Sequence, residues 1–346
     1  MKKEKSSVGR FFEDYELGET IRHATPRTLT EGDRSLYIGI YSSRYTTYCS
    51  SEFAKEIGFK GFPLEDLLVF HTVFGKTVPD ISLNAIANLG YAEVKFLKPV
   101  FPNDTIFSES EVIGLKENSN KKTGIVYVRT RGFNQNRELV LEFIRWVMLK
   151  KKVTKMMNIK PIIPDYKHWL EGSEVPIFDG LSFESFNYNF SGEKYTLKDY
   201  VIGEKIVHAG SVTLDETEHI LATRLWQNTS KVHFDINQRE DKRRLIYGGH
   251  IISMARAFSF NGLANAQVIM AINSGSHTNP SFAGDTLSFW SEILDKYETK
   301  IPGYGLIRLR LIGCKGVVES FDIKDHNGIY NENIVLDLDY WAAIPT

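Results

Sequence analysis

DYELGETIRHATPRTLTEGDRSL, residues 14–36, recurs in a second version later in the same chain. The later version, DYVIGEKIVHAGSVTLDETEHIL at residues 199–221, is identical at 11 of 23 positions without a gap, at a constant offset of 185 residues. A second block follows the same order, because KFLKPVFPNDT, ending at Thr105, resembles HTNPSFAGDT, ending at Thr286. This self-similarity predicts two homologous halves within the 346 residues instead of two unrelated domains.

The repeat sets the expected organisation of the chain. We expect an N-terminal repeat at residues 1–152 and a C-terminal repeat at residues 191–346. Residues 153–190 between them are charged and then punctuated by proline, which is typical of a linker. Their lysine run is more typical of a solvated connector than of a nucleic-acid surface.

Both halves show the same order of predicted elements. TLTE at residues 28–31 and TLDE at residues 213–216 have capping-box spacing, which predicts that a helix starts at each place. A longer apolar helix follows in each half, at residues 64–78 and 247–264, and four strand-like runs come after it. This order predicts an α+β fold in which an antiparallel sheet wraps a central helix, with the two sheets paired edge to edge.

Composition excludes several classes of protein. The 42 basic and 43 acidic side chains give a net charge of −1, so no electrostatic argument favours a nucleic acid or an anionic membrane. No apolar run approaches the roughly 20 residues of a membrane span, and no secretory signal is apparent. Cys49 and Cys314 lack metal-ligand spacing, so neither a disulfide framework nor a metal site is expected, and we expect a cytoplasmic protein.

One loop carries residues with catalytic potential. QNTSKVHFD, residues 227–235, contains Asn228 and His233 and is followed by YGGH at residues 247–250, where the second apolar helix starts. A neutral imidazole can take a proton from water, and backbone N–H groups at a helix N-terminus can bind a thioester oxygen. The alternative interpretation is that His233 is a surface histidine in a polar loop. No glycine-rich phosphate loop, GxSxG elbow or HExxH motif is present.

These residues resemble the MaoC-like (R)-specific enoyl-CoA hydratases, which have the hotdog fold and the motif Asp-x-Asn-Pro-x-His-x-Asp. In the resemblance, His233 takes the place of the motif's histidine and Asp235 that of its last aspartate. Asn228 stands where the family has its first aspartate, while Ser230 and Lys231 replace the asparagine and proline. The resemblance implies that His233 and Asn228 are catalytic, with Asp235 as a possible additional group.

The family's thioester-binding glycine falls on Gly249, and FAGDT, ending at Thr286, matches its strand signature. The offset of 185 places Ser43 opposite Asn228 and Tyr48 opposite His233, so the first half lacks both catalytic residues. This pattern resembles fused double-hotdog hydratases, in which one half retains the chemistry and the other accommodates the acyl-CoA. The resemblance therefore implies that the C-terminal half is the active one.

Longer stretches of sequence make the resemblance more specific. Residues 11–33, 63–100 and 110–132 are similar to the branch of the family that acts on dicarboxylic acyl-CoA thioesters. This similarity implies reversible hydration of mesaconyl-CoA to β-methylmalyl-CoA. An amide at Asn228 would avoid repulsion of the substrate's free carboxylate, and an arginine would bind that carboxylate. The candidates by position are Arg243, Arg244 and Arg44.

Two other functions remain open at this stage. A hotdog thioesterase would use a carboxylate near the central helix, and Glu65 and Asp66 occupy that position. A non-catalytic acyl-CoA-binding protein would leave His233 unreachable from any tunnel. For the hydratase we expect an acyl-CoA substrate, no separate cofactor because CoA is part of that substrate, no nucleic-acid or membrane partner, and a homodimer.

Overall fold

A computed structural model describes residues 5–157 and 159–346. Its strands form a 10-stranded antiparallel sheet. The strands are β1 (Thr20–Thr28), β2 (Ala85–Phe96), β3 (Thr105–Glu117), β4 (Thr123–Phe133), β5 (Leu139–Lys150), β6 (Lys205–Thr213), β7 (Val268–Ser276), β8 (Thr286–Glu298), β9 (Tyr304–Lys315) and β10 (Ile334–Pro345). Their order across the sheet is β1-β3-β4-β5-β2-β7-β10-β9-β8-β6.

The helices are α1 (Glu31–Tyr41), α2 (Thr46–Cys49), α3 (Ser51–Glu56), α4 (Asp66–Thr77), α5 (Tyr188–Ser191), α6 (Glu216–Leu225) and α7 (Gly248–Leu263). The central helix of each half, α4 in the first and α7 in the second, packs against the sheet. Every residue of α4 is buried, in keeping with its largely apolar sequence. Within the described ranges, no helix combines the length and apolar character needed to cross a bilayer.

The halves join through their innermost strands, β2 and β7. These strands pair antiparallel from Tyr91 opposite Gly275 to Lys95 opposite Ala271, so five strands of each half form one continuous sheet. Pairing the two inner edges removes unpaired backbone groups that would otherwise be exposed. The predicted α+β class, with sheets wrapped around central helices and paired edge to edge, is confirmed.

Two details differ from the sequence prediction. The outermost strands, β1 and β6, were not predicted; they pair with β3 and β8. The helix caps lie two residues later than the sequence pattern predicts. The caps of α1 and α6 are Thr30 and Asp215, whose side chains accept hydrogen bonds from backbone N–H groups. Thr28 and Thr213 instead end β1 and β6.

The segment predicted to be a linker, residues 153–190, packs closely on both halves apart from Asn158, which lies outside the described residues. Ser182 N–H donates to the Ile57 carbonyl of the first half at 3.0 Å. Leu170 accepts the Trp341 indole N–H of the second half at 2.9 Å. Contacts of this kind hold the two halves in one arrangement.

The FAGDT signature forms a turn and does not form part of a cavity. Gly284 has φ of +92°, and its counterpart Asn103 in the first half has φ of +76°, so both turns need a residue that tolerates the left-handed region. Asp285 and Asp104 each accept the backbone N–H three residues earlier, at 2.9 and 2.8 Å. The signature therefore recurs because each half needs the same turn before its strand.

Candidate active site

A cavity of about 230 Å³ lies between the two halves at the start of α7. The first half contributes Phe74 of α4 and Tyr91 of β2 to its wall. The second half contributes Asn228, His233 and Gly248. Because both halves line the cavity, neither repeat contains this site alone.

His233 ends a short 3₁₀ turn, Lys231–His233, and its ring lines the cavity. Its Nδ1 lies 2.8 Å from the Leu245 carbonyl oxygen, which can only accept, so Nδ1 carries the proton and Nε2 keeps its lone pair. Burial lowers the pKa of His233 to about 4, although the bond to Leu245 acts in the opposite direction. The imidazole is therefore neutral near pH 7 and can act as a base.

Asn228 is buried in the loop after α6, beside His233 on the cavity wall. Its Oδ1 accepts the Ser230 backbone N–H at 2.9 Å, which leaves the amide Nδ2 as a donor. Helix α4 of the first half packs closely against this loop. A Cβ on Gly75 of α4 would lie 1.9 Å from the Trp226 carbonyl oxygen. Only glycine permits this close approach of α4 to the loop.

The N-terminus of α7 forms another side of the cavity. Tyr247, its N-cap, donates its backbone N–H to Nε2 of His219 at 2.9 Å. The N–H groups of Gly248 and Gly249 have no acceptor among the described residues. Free N–H groups at a helix N-terminus are suited to a carbonyl oxygen that gains negative charge.

Both glycines leave room for neighbouring aromatic and imidazole rings. A Cβ on Gly248 would lie 2.2 Å from Cε1 of His277. A Cβ on Gly249 would lie 2.5 Å from Cε1 of Tyr247 and 2.6 Å from Cε1 of His71. Gly248 lines the cavity, whereas Gly249 lies beneath these rings. The sequence indicated Gly249, and the structure shows that Gly248 is the glycine that lines the cavity.

Two further residues of this site, His277 and Tyr247, were not predicted from the sequence. His277 follows β7, lines the cavity and lies 3.2 Å from the Tyr91 hydroxyl through Nε2. Burial, and then the proximity of the His233 ring, lower the pKa of His277 to about 4. Tyr247 lines the cavity with its ring centroid 5.3 Å from that of His233. Only its position beside the paired glycines could have indicated Tyr247.

Asp235 does not line the cavity. Its side chain caps the 3₁₀ turn Ile236–Gln238 and accepts the Asn237 N–H at 2.9 Å. Hydrogen bonds from Gln238 and Asn237 lower the pKa of this carboxyl. Asp235 therefore stabilises the turn that follows the loop containing Asn228 and His233.

The three arginines suggested by the sequence also lie away from the cavity wall. Arg243 and Arg44 are exposed, and Arg244 is half-buried. Their contacts are with other side chains: Arg243 stacks over Phe282 at 3.9 Å, Arg44 over Phe260 at 4.6 Å, and Arg244 pairs with Glu216. None of them contacts the space beside His233.

The corresponding place in the first half is closed. Ser43 donates to Oε1 of Glu65 at 3.0 Å, and Tyr48 donates to Oδ2 of Asp66 at 3.0 Å. Burial, together with the charge of Asp66, raises the pKa of Glu65 to about 8, so this carboxyl is protonated near neutral pH. The adjacent space measures about 20 Å³, which is too small for a thioester.

Stability is expected to fall as the pH is lowered from 7 to about 5. Seven buried or half-buried histidines have lowered pKa values, so the unfolded chain binds protons below pH 6.5 that the native state does not bind. They are His23, whose pKa is lowered by burial, and His71 (about 3), His208 (about 4), His219 (about 2), His233 (about 4), His250 (about 4) and His277 (about 4). Their stabilising effect is complete above pH 6.5 and is lost progressively towards pH 4.

Thermal unfolding followed by circular dichroism at each pH would measure this effect. We expect Tm to drop by at least ~10 °C between pH 7 and pH 5. Protonated Glu65 has the opposite dependence, since its raised pKa favours the native state at lower pH. A Tm that stayed constant or rose over this range would contradict the assignment of these histidines as neutral.

Comparison with solved structures identifies the class. A MaoC domain protein dehydratase from Chloroflexus aurantiacus superimposes with a TM-score of 0.96, is 48% identical, and the match covers 99% of both chains. A double-hotdog protein from Mycobacterium tuberculosis shares the fold, with a TM-score of 0.77 at 23% identity over 98% of this chain and 99% of that one. The fold is therefore the MaoC-like double hotdog.

Sequence comparison identifies the family within that class. A profile described as mesaconyl-CoA hydratase matches residues 2–158. The chain is 55% identical over 341 residues to a mesaconyl-CoA hydratase of Cereibacter sphaeroides, covering 99% of both. It is 50% identical over 348 residues to a beta-methylmalyl-CoA dehydratase of Chloroflexus aurantiacus, covering 99% of this chain and 98% of that one. The chain belongs to the mesaconyl-CoA hydratase family.

Proposed function

We propose that the protein catalyses the reversible addition of water to mesaconyl-CoA, giving β-methylmalyl-CoA. The observation that carries this proposal is the arrangement of one cavity. A neutral histidine with a free Nε2 lines it, and the first turn of α7, with two N–H groups that lack an acceptor among the described residues, borders it. The family of the chain and the names of its relatives support the choice of substrate.

In the hydration direction, Nε2 of His233 accepts a proton from water while the water oxygen forms a bond to the β-carbon. The electron pair of the C=C bond moves towards the thioester carbonyl, whose oxygen is stabilised by the N–H groups of Gly248 and Gly249. His233 then returns the proton to the α-carbon, which balances the addition of one water. Dehydration follows the same steps in reverse.

Asn228 and His277 position groups around this reaction. The Asn228 amide nitrogen donates to the water oxygen and orients its lone pair, since an amide cannot transfer protons as an aspartate does. His277 lies against Gly248 and is held by Tyr91 of the first half. We therefore assign the first half a supporting role: it forms part of the acyl-binding wall.

Incubation with mesaconyl-CoA, followed by mass analysis for the addition of one water, tests the function. A thioesterase would instead release a free thiol, and a binding protein would leave the thioester unchanged. Glu65 and Asp66, the thioesterase candidates, are buried outside the cavity and bonded to Ser43 and Tyr48. Product that carries water with the thioester intact supports the hydratase, whereas thiol release without hydration refutes it.

The remaining expectations are proposals with simple tests. We propose that turnover needs no added cofactor, so that chelation of metals leaves the rate unchanged. We also propose that the protein forms a homodimer and acts in the cytoplasm. Sedimentation velocity at several concentrations would test the homodimer, and fractionation of the source cells would test the cytoplasmic location.

Asn228→Asp is expected to lower kcat/KM for mesaconyl-CoA about tenfold or more. A carboxylate at this buried position would repel the substrate's own carboxylate and lose the amide donor to water. Steady-state kinetics with mesaconyl-CoA and with crotonyl-CoA, which has no carboxylate, separates the two effects. Unchanged turnover of mesaconyl-CoA would show that charge at residue 228 does not matter.

A further inference from the structure

Arg145 of β5 is a buried cation without an anionic partner among the described residues. Its side chain is completely buried, and within the described residues it makes one hydrogen bond, from Nη2 to Oγ1 of Thr77 at 2.6 Å. Nε and Nη1 are buried and have no partner in the described part of the chain. An arginine in this state is costly to bury, and a bound anion would offset that cost.

Arg145 lies directly behind the cavity wall. It stands opposite Tyr91 in the β5–β2 pairing, so both side chains project from the same face of the sheet. Its guanidinium lies 4.2 Å from the ring centroid of Phe74. Phe74 and Tyr91 both line the cavity, as does Val78, which follows Thr77. The unpaired charge is therefore separated from the cavity by a single layer of side chains.

The matching arginine of the second half is fully bonded. In the repeat, Phe74 of α4 corresponds to Arg256 of α7, and Arg145 of β5 corresponds to Tyr340 of β10. The first half therefore has the aromatic residue on the helix and the arginine on the strand, and the second half has the reverse. Arg256 donates to the Tyr45 hydroxyl at 2.6 Å and to backbone carbonyl groups. The negative charge of Asp66 also acts on Arg256. Of these two arginines, Arg145 is the one whose Nε and Nη1 have no partner among the described residues.

A second polar group faces the same space. The Tyr247 hydroxyl is buried and makes no full hydrogen bond, although the Asn228 amide lies near enough to interact weakly. The charge of Arg145 acts on Tyr247 and on Tyr91. Tyr247 belongs to the cavity wall, and its hydroxyl has no full hydrogen bond and a cation nearby, an arrangement that can bind a carboxylate.

We propose that Tyr247 and Arg145 form a subsite for the free carboxylate of a dicarboxylic acyl group, with the Tyr247 hydroxyl donating to the carboxylate and Arg145 supplying the opposite charge. This subsite rests on the proposed function, and through Arg145 it assigns part of the selectivity to the first half of the chain. It replaces the surface arginines as the origin of that selectivity. The amide at Asn228 fits this subsite, since a second anion beside His233 would compete for the same cation.

Arg145→Gln is the direct test, measured with mesaconyl-CoA and with crotonyl-CoA. Loss of the charge should lower kcat/KM for mesaconyl-CoA about 30-fold, and that for crotonyl-CoA less than about threefold. Arg145→Lys keeps the charge and should retain more of the preference. A purely structural role would lower both rates equally, and this outcome overturns the subsite. Arg243→Ala, an exposed arginine, is the matched control.

A measurement on the unmodified protein covers the case in which Arg145→Gln does not fold. Succinyl-CoA and butyryl-CoA are saturated and cannot be hydrated, and they differ in the presence of a terminal carboxylate. We expect the protein to bind succinyl-CoA at least about tenfold more tightly. Equal affinities overturn the subsite. Failure of the unmodified protein to hydrate mesaconyl-CoA would overturn the proposed function separately, while the binding comparison would still decide the subsite.

Discussion

Replacing His233 with glutamine is expected to lower kcat for hydration of mesaconyl-CoA about 1000-fold. Glutamine is similar in size, and its amide nitrogen can still donate to the Leu245 carbonyl as Nδ1 of His233 does. It offers no nitrogen that accepts a proton near neutral pH. The loss should therefore appear in kcat, with KM and the melting temperature changed little.

His326→Gln provides the matched control, because His326 is exposed in the loop before β10. That variant should keep full activity. Initial rates followed by the absorbance of the conjugated thioester would measure both. If His233→Gln retained near-normal turnover, His233 would not be the base, and the catalytic loop would need another assignment.

Gly248→Ala is expected to lower kcat/KM about 100-fold while the protein remains folded. The added methyl group would lie 2.2 Å from the His277 ring, so the ring must move, and the methyl group would stand beside the N–H groups to which we assign the thioester oxygen. Alanine favours a helix more than glycine does, so α7 should still form.

Gly39→Ala is a suitable comparison, since a Cβ at Gly39 of α1 meets nothing within 4 Å. We expect normal kinetics from it. Circular dichroism should show similar melting temperatures for both variants. Activity of Gly248→Ala within about threefold of normal would mean that the thioester oxygen binds elsewhere than the N-terminus of α7.

Much of the fold could be predicted because each half repeats its sequence pattern. The apolar runs that became α4 and α7, and the strands after them, are continuous in the sequence. β1 and β6 were missed because edge strands bury only a few side chains and show little alternation. The caps were misplaced because TLTE and TLDE contain a second cap residue two positions later, and the structure uses that residue.

The site could be predicted only where its residues are close in sequence. Asn228 and His233 share one loop, and Gly249 follows soon after, so a single motif contains them. His277, which follows β7, and Arg145, on β5, are far from this loop in the sequence. They come near the cavity because β2 pairs with both β5 and β7. A local pattern also cannot show that Arg243 points away from the cavity.

The continuous pairing of β2 with β7 has a consequence for how such an enzyme could arise. In a dimer of identical chains, every substitution appears at both sites at once, so losing a catalytic residue from one site destroys the other. Joining the copies in one polypeptide breaks that symmetry. Ser43 and Tyr48 can then differ from Asn228 and His233, and the freed copy can specialise in recognising the substrate while its sister keeps the reaction.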